Sequence, residues 1–288
     1  MDVKERLRQK KEAVECELER ILPQEDSLLF RAMRHAVFSG GKRYRPLLAL
    51  SSGEYFGASQ EMVLPFACAL ELIHNYSLVH DDLPSMDNDD FRRGQPSCHK
   101  AFGEDIALLT GDSLLTLAFE VLSQASLDGD LLERKGRVIK EISHFAGIKG
   151  MIGGQLLDVT LSPEVLTEEI FHDLILKKTG ALITASVKTG AILGGAGNSE
   201  LEALVQYGRH IGLAFQIRDD ILDSSDETEK GDLSRPNYVS VFGLETAKSR
   251  LNDFINTARS ALEEASLESE ELHYLASLLL NLEYRKGK

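Results

Sequence analysis

The chain has 288 residues, with 46 acidic against 32 basic side chains and a formal charge of −14. A chain this negative is not built to grip a nucleic-acid backbone, so no nucleic-acid partner is expected. Its 43% hydrophobic and 27% charged residues exclude intrinsic disorder.

Taken in chain order, the pattern is helical nearly throughout. Residues 2–21 repeat Val3, Leu7, Val14, Leu18 and Ile21 among charges, which predicts an amphipathic helix and lacks the apolar stretch of a signal peptide. Residues 27–38 and 46–55 read as two helices around the turn SGGKRYRP. A long apolar helix over 62–82 runs into HDDLP, and helices over 108–126 and 131–148 follow, joined by LDGD. Segments 167–175, 178–195, 199–223, 239–265 and 269–284 bring the total to about ten helices. No strand is expected, nor any linker or internal repeat. Several of these helices are apolar on every side, which predicts a single-domain all-α bundle, residues 1–288, around one or two buried helices. No run of about 18 apolar residues is present, so no transmembrane segment is expected. Cys16, Cys68 and Cys98 form no CxxC pair, which argues against a disulfide framework or structural zinc and for a reducing, cytoplasmic location.

Two aspartate clusters carry the chemistry. Five aspartates fall within residues 81–90, at the end of the apolar helix FACALELIHNYSLV. A second cluster, Asp219, Asp220 and Asp223, ends the apolar run IGLAFQI. Carboxylate oxygens are hard ligands suited to Mg²⁺, which keeps waters and shares its shell with substrate phosphates. At about 100° per residue, Asp219 and Asp223 lie roughly 40° apart and share one helix face. On an unbroken helix Asp81 and Asp87 would diverge by about 240°, but Pro84 disfavours helical geometry at Leu83 and opens the turn. An acidic run at a helix end is ordinarily solvated surface. Here both runs follow apolar faces and sit near helix C-termini, where the dipole disfavours uncompensated negative charge.

With these residues in view, the chain resembles the trans-isoprenyl diphosphate synthases, and most of all their bacterial farnesyl branch. The resemblance covers roughly residues 25–285 and rests on motifs in order: GGKRYRP (40–46), His74, DDLPSMD with Arg92-Arg93-Gly94, GGQLLD (153–158), KKTGALI (177–183) and FQIRDDILD (215–223). It implies the all-α isoprenoid synthase fold around a central cavity. It also implies condensation of an allylic diphosphate with isopentenyl diphosphate, with release of pyrophosphate, by a homodimer. Asp81, Asp87 and Asp219, helped by Asp82, Asp220 and Asp223, would hold three Mg²⁺ on the allylic diphosphate. Arg92 and Lys178 would neutralise that group, and Lys42, Arg45, His74 and Arg93 would cradle isopentenyl diphosphate. The oxygens of Thr179 and Gln216 would face the carbocation, with Gln155 and Asp158 behind the metals. Read in isolation, Lys42 and Arg45 are loop cations, Arg92-Arg93 merely offsets nearby aspartates, and His74 is a bonded core histidine.

In the family the product grows beside the helix before the first cluster. Tyr76 and Ser77 stand five and four positions before Asp81, and a ring at the fifth position implies early termination at C15. After Asp223 the chain departs from the family: the loop is shorter, GKxxGxD is not intact, and Lys230 and Arg235 are the cations present. That departure implies weaker diphosphate affinity. Three other readings stand beside the C15 synthase: a C20 or longer synthase, a non-catalytic partner subunit, and an HD-type phosphohydrolase suggested by His80-Asp81.

Overall fold

The structure, a computed structural model, describes residues 1–22, 25–162, 166–225 and 237–282. Its helices are α1 (Val3–Ile21), α2 (Leu28–Phe38), α3 (Tyr44–Tyr55), α4 (Gln60–Asp81), α5 (Cys98–Phe102), α6 (Glu104–Gln124), α7 (Leu131–Ala146), α8 (Met151–Thr160), α9 (Glu168–Ile175), α10 (Ala181–Gly194), α11 (Asn198–Ser225), α12 (Tyr238–Phe242), α13 (Leu244–Glu264) and α14 (Glu270–Leu278). Side-chain caps fix several starts. Ser27, Ser59, Thr167 and Ser269 each accept from the backbone N–H three residues on, and Asn237 with Ser240 forms a reciprocal capping box.

The helices that are apolar all round lie at the centre. Almost every residue of α10 from Ala181 to Leu193 is buried, and it packs against α3, α4, α7 and α11. The α3 helix is buried from Tyr44 to Gly53, and α4 is buried around Phe66–Ile73. Outside them, α1 and α13 show the amphipathic pattern, burying Leu7, Val14 and Leu18, and Leu251, Ile255, Ala258 and Leu262. The gap in the α1 stripe is filled by Lys10, whose buried ammonium pairs with Glu271 and, at 2.6 Å, with Glu54. The buried apolar side chains form one connected core from α1 to α14.

Several expectations need correction. A two-residue hairpin, β1 (Phe91–Arg92) with β2 (Gln95–Pro96), stands where no strand was expected. Its turn, Arg93-Gly94, has φ of 53° and 76°, the doubly positive turn that matches strand twist. The stretch around GGQLLD is helical as α8. The expected helix over 239–265 is interrupted at Gly243, where φ is 84°. The last helix ends at Leu278, and residues 283 and 284 lie outside the described residues. Two helices, α4 and α6, are long and apolar enough to cross a membrane by length and composition alone; α4 buries 67% of that stretch inside the fold and α6 33%.

Candidate active site

The first aspartate cluster begins where α4 ends. Past Asp81 the chain folds back, so that the Asp87 N–H donates to the Asp81 carbonyl at 2.8 Å and the Asn88 N–H reaches the Leu83 carbonyl. This is the opening that Pro84 requires, and it sets Asp87 beside Asp81. Burial pushes the Asp81 carboxyl up to about 6, with Asp87 and Asp158 adding to the rise and Lys178 and Arg92 opposing it. Asp82, one residue further round, is 2% exposed and faces the protein. Arg92 Nε donates to both its oxygens at 2.8 Å, and Arg92 Nη2 donates as well. Burial works against the Arg92 charge, and the pair with Asp82 more than offsets it.

A cationic cluster lies alongside, on α3 and the loop before it and on the hairpin, with His74 of α4 among the cations. Arg45 is buried and pushed down to about 10 by that burial, with Arg93 adding to the fall while Glu71 and Asp219 oppose it. His74 is held well below its ordinary pKa by burial, then by Arg45, Arg93, Arg92 and Arg43, so a neutral imidazole sits among guanidiniums. Arg93 Nη1 donates to the Gly40 carbonyl, and Lys42 stands exposed at the rim. The residue missed from sequence is Arg43. Its guanidinium is buried and donates to Glu15 at 2.8 Å, Glu71 at 2.9 Å and the Val37 carbonyl at 2.7 Å. Its left-handed φ of 52° turns the loop, so that Lys42 points out while Arg45 points in.

The second cluster lies within electrostatic reach of the first, since Asp219 acts on Arg45 and Lys178 on Asp81. Between α9 and α10 the chain makes a π-helical turn, Leu176–Gly180, which carries Lys178 and Thr179. The bare Gly154 lets α8 approach this turn closely, since a Cβ there would lie 2.2 Å from the Lys178 nitrogen. Lys178 Nζ pairs with Asp158 at 2.6 Å and is also the foremost cation acting on Asp81. Thr179 Oγ1 donates to Gln216 Oε1 at 3.0 Å, and Gln216 Nε2 donates to Asp220 Oδ1 at 2.9 Å. The other Asp220 oxygen accepts the Tyr238 N–H at 2.7 Å. Burial pushes the Asp220 carboxyl up to about 6, while those two donors pull it back. Asp219 lies beside Arg218 at 3.2 Å, Asp223 is exposed, and the buried Gln155 Nε2 has no partner among the described residues. The structure therefore brings Asp81, Asp87 and Arg92 of the first side within electrostatic reach of Lys178 and Asp158 of the second, and couples Arg45 to Asp219 in the same way.

Two expected ligands, Asp82 and Asp220, have their oxygens committed to protein donors. Among the described residues, no three His, Cys, Asp or Glu side chains converge on a closed metal cage. The remaining aspartates of the two clusters suit an ion which takes one or two carboxylates and completes its shell with water and phosphate oxygens, as Mg²⁺ does.

Below Asp81, Tyr76 is buried with its ring edge against His80, centroids 5.8 Å apart, and its hydroxyl has no partner among the described residues. Ser77 Oγ donates back to the His74 carbonyl at 2.9 Å. His80 Nε2 bonds the Leu108 carbonyl at 3.1 Å, and its ring fills the space over Gly111. Among the described residues no further histidine or acid joins His80 and Asp81 in the group of three or more that an HD-type metal centre needs. The altered loop with Lys230 and Arg235 lies outside the described residues.

The sequence profile of the polyprenyl synthetase family matches residues 26–264. The chain belongs to that family. It is 39% identical to a farnesyl diphosphate synthase of Geobacillus stearothermophilus over 289 residues, covering 97% of each chain. It is also 39% identical to a geranylgeranyl diphosphate synthase of Cyanophora paradoxa, covering 91% of this chain and 88% of that one. Among solved structures, an apo FPP/GFPP synthase from Zymomonas mobilis superposes with a TM-score of 0.87 at 35% identity, covering 96% of this chain and 98% of that one. This protein is a trans-prenyltransferase, a trans-prenyl diphosphate synthase with the all-α isoprenoid synthase fold. The non-catalytic reading gives way to that assignment.

Proposed function

We propose that this synthase condenses isopentenyl diphosphate with dimethylallyl or geranyl diphosphate, releases pyrophosphate and ends at (2E,6E)-farnesyl diphosphate. Three Mg²⁺ ions, with Asp81 and Asp87 on one wall and Asp219 and Asp223 on the other as their carboxylates, would offset diphosphate charge and favour its departure as a leaving group. Arg92 and Lys178 hold the same diphosphate by charge-assisted hydrogen bonds. Lys42, Arg45 and Arg93 bind the second diphosphate, and the neutral His74 offers it a hydrogen bond without adding another repelling cation. Thr179 and Gln216 present oxygens to the positive carbon, and the buried faces of α3, α4 and α10 exclude water from it.

The observation that carries the C15 assignment is Tyr76, a buried ring five residues before Asp81 on α4. A chain growing down that helix meets the ring before a fourth isoprene unit fits. The test is product identification after incubation of the full chain with isopentenyl diphosphate, each allylic starter and Mg²⁺. A C15 product from both starters is expected; a dominant C20 product would overturn the plug and favour the geranylgeranyl reading.

We further infer a single-domain, cytoplasmic homodimer. The connected core supports one domain. Exposed Leu108 and Leu109 on α6, with Ile152, Leu156 and Val159 on α8, supply the apolar surface that a second copy would cover. Light scattering of the full chain tests this, with twice the chain mass expected and monomer mass contradicting it.

A further inference from the structure

We propose that Asp220 is a positioning residue that fixes the polarity of Gln216 and Thr179, and that it holds no metal. The inference deepens the condensation reading and rests on Thr179 and Gln216 facing the positive carbon.

The geometry comes first. Asp220 is 5% exposed. On α11 it is turned about 100° from Asp219, away from the face that Asp219 shares with Asp223. One of its oxygens accepts from Gln216 Nε2 at 2.9 Å and the other from the Tyr238 N–H at 2.7 Å. Tyr238 is itself held, its hydroxyl donating to Glu168 Oε1 at 2.8 Å and its ring packed on Phe171. The carboxylate therefore stands between two fixed donors.

Donor and acceptor counting does the rest. At pH 8 a carboxylate only accepts, so Gln216 must turn its NH₂ towards Asp220 and its carbonyl oxygen away. That carbonyl oxygen lies 3.0 Å from Thr179 Oγ1, and with no proton of its own it obliges the hydroxyl to donate. A hydroxyl has a single proton. Once that proton is committed to Gln216, the Thr179 oxygen offers only lone pairs in every other direction, including that of the reacting carbon. The negative charge of Asp220 is thus converted, through two neutral groups, into a fixed orientation of the dipoles beside a developing cation.

Asp220→Asn tests this because it keeps the shape and removes the charge. Its oxygen can still accept from Tyr238, but its NH₂ then meets the NH₂ of Gln216. Relief requires the Gln216 amide to flip, which forces Thr179 to accept and swings the hydroxyl proton towards the cavity. We expect kcat to fall roughly ten- to hundredfold while both diphosphate KM values stay within about twofold. Mn²⁺ bound in the presence of inorganic pyrophosphate, counted by electron paramagnetic resonance, should match the wild-type number. The double variant Asp220→Asn/Gln216→Glu restores the order of donors and acceptors, since the new carboxylate accepts from both Thr179 and the new amide. It should recover about tenfold of the lost kcat. Loss of a bound Mn²⁺ ion in Asp220→Asn would overturn the proposal, and so would a double variant no faster than the single one. If circular dichroism shows Asp220→Asn unfolded, the double variant, in which each donor keeps an acceptor, carries the kinetic test. A wild-type chain that binds Mn²⁺ and pyrophosphate yet condenses nothing would overturn the condensation reading instead, while the Mn²⁺ count would still judge Asp220.

Discussion

The two aspartate-bearing helix ends start from the same local pattern, an apolar helix followed by adjacent aspartates, and use the second carboxylate in opposite ways. At the end of α4, Asp82 is saturated by the guanidinium of Arg92, which the hairpin delivers. Near the end of α11, Asp220 accepts from two neutral N–H groups and pairs with no cation among the described residues. The first wall is thus an arrangement of charges, with Arg45, Arg92 and Arg93 near the acids and a neutral His74, and with Lys178 reaching Asp81 from the other side. The second wall orders dipoles, in a chain from Tyr238 through Asp220 and Gln216 to Thr179. Ionising a diphosphate and stabilising the carbon left behind are different electrostatic tasks, and the two walls divide them.

The comparison predicts its own failures, beginning with the largest. Asp81→Ala and Asp219→Ala should each lower kcat/KM for condensation by about 10³-fold or more with the helical circular dichroism unchanged, because each removes a cavity-facing carboxylate from a different wall. A large loss in only one would show that a single wall suffices. Next, Arg92→Ala strands the Asp82 carboxylate without its partner in a site where it is almost fully buried. Unfolding in urea should show a loss of about 3 kcal/mol, and a loss below 1 kcal/mol would mean that the pair is dispensable. Tyr76→Ala should raise the ratio of C20 to C15 product by about tenfold, a difference of roughly 1.4 kcal/mol between competing barriers. An unchanged ratio would place the floor of the channel elsewhere.

The smallest effect concerns His74. Its folded-state pKa lies well below the ordinary histidine value, so the unfolded chain binds the extra proton first. The stability that goes with the neutral ring is complete above the unfolded value of about 6.5 and is lost as pH falls towards the folded one. Asp81 and Asp220, raised to about 6, run in the opposite sense, but they are present in both proteins when wild type is compared with His74→Gln. The stability difference between the two should be flat above pH 7 and should move against wild type below pH 6.5, by at most about 1.4 kcal/mol per pH unit. A flat difference down to pH 5 would contradict a neutral His74.

Much of this was legible in sequence because it depends on local chemistry. Apolar residues on all faces placed the central helices, and Pro84 after HDDL announced the opened turn that brings Asp87 back to Asp81. The roles of Arg43 and Arg45 were not separable by inspection, since two arginines two positions apart look alike until Glu15 and Glu71 arrive from other helices to claim one of them. For the same reason the partners of Asp82 and Asp220 were hidden: Arg92 on a hairpin and Tyr238 after a long connection are tertiary. The hairpin is too short to alternate, and α8 carries two adjacent glycines that lower helix propensity yet allow its approach to Lys178. The break at Gly243 was hidden by apolar residues that keep helical spacing on both sides.

The central claim is that both walls close on one diphosphate, and calorimetric titration of inorganic pyrophosphate into the full chain, with and without Mg²⁺, tests it most directly. The account predicts tight binding only with Mg²⁺, abolished alike by Asp81→Ala and by Asp219→Ala. Binding that persists without a divalent ion, or that survives intact in either variant, would contradict it.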